Sequence, residues 1–299
     1  MTPTPLPTCD PTVVESFSRD GFAVLRNILA KDRRDMLRHA ADRLLASAIT
    51  TGRDRGTDGK DGFRGVVALD SAFLPLVAEP TVLTVVATLL GPNLHLLSSH
   101  LIALPSIPPD GPRTIRTPER PGWHRDMYGV SRDLGSASIP RLAIKAAYFL
   151  TDPTPTAGVT MFVPGSHLRT DEVQVPAGSI NPPDAVVPPI GPYDVVLFEN
   201  RTWHAGGLNT SGSPRLAVMM QYGYRWLAPV DDPAAELLRR ADLTDVERQL
   251  LGAADRDPDG SLAKGAGARP LTRWLEHREQ VAVVAQEANP TQAQRKAPA

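Results

Sequence analysis

Cysteine is nearly missing from this chain, which has one, Cys9, in 299 residues. No internal disulfide can form, so oxidative folding has no part in the design. An excess of charge is missing too. Lys and Arg number 32, Asp and Glu 33, for a net charge of −1. No overall electrostatic pull toward nucleic acid or an acidic membrane is expected. Nor is there a long apolar run. The longest, Val82 to Leu90, is broken by Thr84 and Thr88 and is too short to span a bilayer. The opening MTPTPLPTCDP carries neither a basic n-region nor an apolar h-region. No secretory signal is expected, and a cytoplasmic location follows by default. There is no internal repeat.

What is present describes a soluble enzyme-sized domain. Hydrophobic residues make up 41% and charged residues 22%, the balance of an ordinary globular protein. The length allows one large core. Residues 1–11, with Pro3, Pro5, Pro7 and Pro11, are expected to be a flexible leader. Residues 12–285 are expected to form a single domain, with a β core about 94–226 between helical flanks. Residues 286–299 are polar and alanine-rich and are expected to be a disordered tail. A monomer or homodimer acting on a small molecule is expected.

The periodicity predicts a helix from Pro11 to Gly21, a strand at Phe22 to Leu25, and a helix over Lys31 to Thr50. Residues 51–65 are polar and Gly-rich and read as a mobile surface loop. A helix over Pro80 to Leu90 stops at Gly91-Pro92. From Leu94 the pattern becomes β: strands at Leu94 to Leu104, Leu142 to Leu150, Val159 to Val163, Asp194 to Phe198 and Arg215 to Tyr224. Loops are predicted at 105–121, 129–140 and 168–192. Helices return at Pro233 to Arg240 and Thr244 to Leu251. Short strands joined by long Pro/Gly loops predict a sandwich or barrel.

The chemistry sits in His124-Arg-Asp126, followed much later by His204 and then Arg215. Two imidazoles and a carboxylate are the donor set that binds non-haem iron on one face of its octahedron. On a strand, residues i and i+2 point the same way. His124 and Asp126 would then enter one cavity while Arg125 points away. Taken alone, such a pair is also found by coincidence on surface loops. His204 is followed by Gly206-Gly207, which lets backbone or ligand approach closely, yet a lone histidine is more often a packed one. His39, His95, His100, His167 and His277 are assigned to that ordinary category. Arg215, Ala217, Met219 and Gln221 share one strand face. If that face lines the cavity, Arg215 can grip a carboxylate with its planar fork. The alternative is a surface arginine at a strand end. Lys145 interrupts an apolar strand, where a charge needs a partner, either a co-substrate carboxylate or a ligand's polar group, unless it snorkels from an edge. Trp123 and Tyr128 flank the metal pair and would either pack under a lid formed by one of the loops 51–65, 105–121 and 129–140 or belong simply to the core. Arg113, Arg116, Arg120, Arg132 and Arg141 near the predicted mouth hint at an anionic substrate, against the plainer reading of solvated loop charge.

These stretches resemble the phytanoyl-CoA dioxygenase family of iron(II)/2-oxoglutarate oxygenases, on the branch of ectoine hydroxylase. The likeness is carried by Gly122-Trp-His-Arg-Asp126, Phe149-Leu-Thr-Asp152, Gly158-Val-Thr-Met-Phe-Val-Pro-Gly-Ser-His167, Trp203-His204 and Arg215. The resemblance implies a double-stranded β-helix, or jelly-roll, with flanking helices. It implies His124, Asp126 and His204 as iron ligands and Arg215 as the anchor of the 2-oxoglutarate C5 carboxylate. Lys145 falls where relatives often offer a hydroxyl to the same anion, and Ser98 aligns with a polar co-substrate contact. The implied reaction uses Fe(2+), O2 and 2-oxoglutarate, with ascorbate as an in vitro reductant. It gives succinate, CO2 and a hydroxylated biosynthetic intermediate. Asp126 argues against halogenation, because family halogenases carry Gly or Ala there. Desaturation, cyclisation or epimerisation through the same cycle are alternatives. A zinc hydrolase or cupin-like binding protein is a more distant one, since neither needs Arg215.

Overall fold

The computed structural model describes residues 9–51, 61–107, 121–135, 139–231, 235–253 and 270–277. Most of the expected leader and the whole expected tail lie outside these residues. Helix α1 (Pro11–Asp20) begins where the Asp10 carboxylate accepts from Thr12 N–H at 2.9 Å. Pro11 occupies the first turn, where its missing N–H costs nothing. The helix stops at Gly21, whose φ of 82° is left-handed. Strand β1 (Phe22–Leu25) and helix α2 (Lys31–Thr51) follow as the sequence predicts.

Residues 51–65 depart from the expected loop. Asp61–Arg64 is strand β2, and the short helix α3 (Val66–Leu69) begins just after it. Phe63 is buried, and β2 pairs antiparallel with the edge of β3 (Leu94–Leu104). The ladder and one buried aromatic outweigh the local polarity that suggested a loop. Residues 52–60 lie outside the described part. Helix α4 (Pro80–Leu90) sits between β2 and β3 in the chain. A second departure is helix α5 (Tyr128–Leu134), where a loop over 129–140 was expected.

The remaining strands are β4 (Ala143–Phe149), β5 (Thr160–Phe162), β6 (Val195–Glu199), β7 (His204–Gly206) and β8 (Arg215–Tyr224). Six of the eight named strands form one antiparallel sheet in the order β1-β6-β4-β8-β3-β2, while β5 and β7 form the small facing sheet. This is the jelly-roll. Strands β1 and β2 belong to its large sheet, so the β core begins well before residue 94. Short helices α6 (Ala235–Leu238) and α7 (Asp245–Leu250) follow β8, α7 with a Thr244/Glu247 capping box, and residues 270–277 are helical again. No helix among the described residues is long and apolar enough to cross a membrane.

Both faces of the large sheet are covered, which is why β8 is buried at nine of its ten positions. Leu216, Val218, Met220 and Tyr222 face the helices, with Val82, Leu83 and Val86 of α4 in the same core. Ala217 and Met219 face the small sheet and pack with Ala147, Phe149, Phe162 and Phe198. Each fully buried aromatic of this inner cluster is worth about 1.5–3 kcal/mol in burial alone. The inner cluster is the floor of the site.

Candidate metal and co-substrate site

The three suspected metal ligands converge. The donor atoms of His124, Asp126 and His204 all lie within 4.8 Å of one another. Convergence comes through backbone pairing. His124 N–H donates to His204 O and His204 N–H to His124 O, each at 3.0 Å. This is an isolated bridge and not a strand. Asp126 lies in a bend, and Met127 is left-handed with φ 57°. The expected i, i+2 strand geometry is therefore replaced by a single bridge and a turn into α5. His204, expected just past a strand, lies on one: β7 pairs with β5, Phe162 opposite His204.

The ring orientations are fixed. His124 Nδ1 donates to Gly122 O at 2.8 Å, and His204 Nδ1 to Thr202 O at 2.9 Å. A carbonyl can only accept, so both Nδ1 atoms carry protons, and in the neutral rings Nε2 is the atom that offers a lone pair. The His204 ring rests on Phe198 at 4.7 Å and Phe162 at 6.2 Å. Burial pushes its pKa down to about 3, against the pull of Asp126. Burial alone would raise Asp126, but Lys145 and the nearby imidazoles outweigh it and hold the carboxyl at about 2. At neutral pH the set is thus a neutral imidazole and an ionised carboxylate, the protonation states a divalent cation requires.

Arg125 points away from the cavity, as expected, and has a task that the sequence did not reveal. Its Nη2 donates to Ser166 O at 2.9 Å and Arg169 O at 2.6 Å, and its guanidinium lies 5.3 Å over the Trp203 ring. Ser166 Oγ accepts from Trp203 N–H. The Pro-Gly-Ser-His turn, the metal motif and the His204 corner are thereby tied together. Helix α1 grips the same corner. Gly21 O accepts from Thr202 Oγ1 and from Glu199 N–H, and Gly21 itself has no room for a Cβ beside Thr202 and His167.

Arg215 is 3% exposed and lies 5.7 Å from the Phe149 ring centre. Among the described residues its Nε and Nη1 have no hydrogen-bond partner, and burial lowers its pKa to about 10. It faces the inner cluster, beside Gly206, where an added Cβ would lie 3.9 Å from Nη2. A buried guanidinium without a counter-charge is costly, and a bound carboxylate would remove that cost.

The other suspected residues fall elsewhere. Lys145 does not share the Arg215 anion site. Its Nζ donates to Asp126 Oδ1 at 2.7 Å, and it pairs in register with Gln221. Gln221 stands six residues from Arg215 on β8, about 20 Å along a strand. Ser98 likewise donates to Gln221 Oε1 at 3.2 Å. Trp123 is half-buried beside the ligands, with an unpartnered indole N–H. Tyr128 opens α5. Arg132 is exposed and pairs with Asp133 on that helix, and Arg141 pairs with buried Glu199. Arg113, Arg116 and Arg120 lie outside the described residues. Sequence reasoning missed Phe162, Phe198, Arg125 and Ser166. Only the folding of β5, β6 and β7 brings Phe162 and Phe198 against His204 and Ser166 against Arg125.

Fold and donor set together fit one class of protein, the 2-oxoglutarate-dependent non-haem iron dioxygenases. The sequence pattern of the phytanoyl-CoA dioxygenase (PhyH) family matches residues 17–217, and the chain belongs to that family. A protein of Mycobacterium tuberculosis is 29% identical over 214 residues, 68% of this chain and 71% of its own. The ectoine dioxygenase of Stutzerimonas stutzeri is 24% identical over 243 residues, 71% and 76%. Among solved structures, the non-haem α-ketoglutarate-dependent carbocyclase SnoK of nogalamycin biosynthesis superposes with TM-score 0.56 at 24% identity, covering 81% of this chain and 94% of SnoK. The epimerase SnoN, solved with Fe3+, α-ketoglutarate and a nogalamycin compound, gives 0.57 at 19%, covering 86% and 98%. EctD from S. alaskensis, solved with 2-oxoglutarate and 5-hydroxyectoine, gives 0.55 at 23%, covering 74% and 83%.

Proposed function

We propose that this enzyme hydroxylates an unactivated C–H bond of a small biosynthetic intermediate, with succinate and CO2 as co-products. His124, Asp126 and His204 would hold Fe(2+). Arg215 receives the far carboxylate of 2-oxoglutarate. The observation that carries the reading is the pairing of a two-imidazole, one-carboxylate cluster with a buried guanidinium lacking any counter-charge among the described residues. A zinc hydrolase or a cupin-like binder has no use for that guanidinium. The iron and co-substrate supply the oxidising power. The chain's own residues orient the donors, hold the co-substrate carboxylate and keep water away. The backbone carbonyls of Gly122 and Thr202 set the imidazole tautomers. Phe149, Phe162 and Phe198 make the floor dry, which strengthens the ionic grip of Arg215. The test is succinate formation from 2-oxoglutarate with Fe(II), O2 and ascorbate. It should be lost in His204→Ala and require far more 2-oxoglutarate in Arg215→Ala.

A second reading keeps the same metal and co-substrate but ends in cyclisation or epimerisation. The fold likeness to SnoK and SnoN favours keeping it. Product mass separates the two, since hydroxylation adds one oxygen atom and the others do not.

A further inference from the structure

We propose that Lys145 is a positioning residue that makes Asp126 a one-oxygen metal ligand, an inference that rests on the metal site proposed above. A lysine in the middle of β4 is unexpected. Its strand neighbours are Ile144 and Ala146, and its own side chain enters the inner face that Ala147 and Phe149 also line. Register places it opposite Phe198 of β6 and Gln221 of β8. From there its stem crosses the Phe198 ring, with Nζ 5.9 Å from the ring centre, and ends on Asp126 Oδ1 at 2.7 Å. The same Phe198 ring supports His204. One aromatic therefore fixes the height of both the ammonium and the imidazole.

The two oxygens of Asp126 are thereby given different partners. Oδ1 faces Lys145, while Oδ2 faces His204 Nε2 at 4.0 Å. A carboxylate with both oxygens free can chelate one ion through both, filling a second coordination position. An ammonium on Oδ1 leaves Oδ2 as the donor. The position so spared is one that 2-oxoglutarate or O2 needs, because the three-ligand set works only with its other face open. The arrangement also has a cost. A fixed positive charge beside the metal repels it and weakens its binding. Lys145 thus exchanges metal affinity for an open coordination face.

That exchange gives a signature opposite to a structural role. Co(II) serves as the probe, titrated anaerobically into full-length protein in competition with a chelator. Lys145→Met, which keeps the stem on Phe198, should bind Co(II) about tenfold or more tightly than wild type, because a repelling charge is gone. The Co(II)-loaded variant should bind 2-oxoglutarate more weakly and show a changed Co(II) absorption spectrum. Lys145→Arg, which restores a cation, should move both affinities back toward wild type. Thermal unfolding of the metal-free variants verifies that they are folded. Equal or weaker Co(II) binding by folded Lys145→Met, with wild type binding through Asp126, overturns the role of Lys145 alone. Wild type whose Co(II) uptake is unchanged by Asp126→Ala overturns the three-donor site, and this inference with it.

Discussion

His204 and His124 belong to one site but are held by different means. His204 lies on β7, is 4% exposed, and is walled by Phe162 and Phe198. Its corner is pinned by Thr202 on Gly21 and by Trp203 on Ser166. His124 is exposed and joins the sheet through one bridge, and Asp126 follows in a bend. One candidate ligand is part of the core, and two are carried by a segment that joins it through one backbone bridge and the side chains of Arg125 and Lys145. The rigid half needs no metal to keep its shape. The His124–Asp126 half depends on Arg125, Lys145 and, in the proposed function, the ion itself. Mutations in the two halves should therefore separate metal binding from stability.

The largest effect is on the metal. His204→Ala, Asp126→Ala and His124→Ala should each abolish measurable Fe(II) binding and succinate production. Stability should divide them. His204→Ala empties a space among buried rings and should cost about 2–4 kcal/mol in denaturant unfolding of the metal-free protein. His124→Ala, at an exposed position, should cost less than about 1 kcal/mol. Equal losses in the two variants would break the comparison.

Arg215→Ala should weaken 2-oxoglutarate binding by about 2–5 kcal/mol, the cost of truncating one partner of a buried charged contact. The opposite sign is expected without co-substrate. Arg215→Met removes a buried cation that has no counter-charge, so metal-free protein should unfold no more easily than wild type. Isothermal titration and thermal unfolding read the two effects.

Gly21→Ala should destabilise the rigid half by more than about 1 kcal/mol. A φ of 82° disfavours a side chain, and the added Cβ would meet Thr202 Oγ1 and His167 Nδ1. Weakened metal binding should accompany the loss, since Thr202 O orients the His204 ring.

A separate effect is the pH dependence of the metal-free protein. His204 falls from 6.5 to about 3 on folding. Its contribution is present above pH 6.5 and is lost as pH falls toward 3, because only the unfolded state binds the proton in that window. Asp126, lowered to about 2, contributes likewise above pH 4 and loses that contribution below it. His204→Asn should flatten the curve between pH 6.5 and 4 and leave the Asp126 portion below.

Much of this molecule was legible in the sequence because the informative features are local. Helices α1 and α4 carry their own caps or stops, at Asp10, Gly21 and Gly91, and α2 its helical apolar spacing. Strands β3 and β8 are long apolar runs, and the His-x-Asp pair is a spacing. What was not legible depends on distant partners. Strand β2 is polar and becomes a strand only because β3 offers an edge. The three-residue β7 is too short for any periodicity and exists through β5 and His124. Lys145 showed that a partner was needed but not which one. That the partner is Asp126 depends on the β4–β8 register, which places Lys145 beside Gln221 and far from Arg215.

In the proposed function one cavity holds Fe(II) on His124, Asp126 and His204 and anchors 2-oxoglutarate on Arg215. The most direct measurement is the visible charge-transfer absorption that appears when 2-oxoglutarate chelates protein-bound Fe(II) without oxygen. Wild type should develop the band at one equivalent of Fe(II). His204→Ala should not develop it, and Arg215→Ala should need at least tenfold more 2-oxoglutarate to reach it. Wild type that binds Fe(II) but develops no band with saturating 2-oxoglutarate would contradict the account.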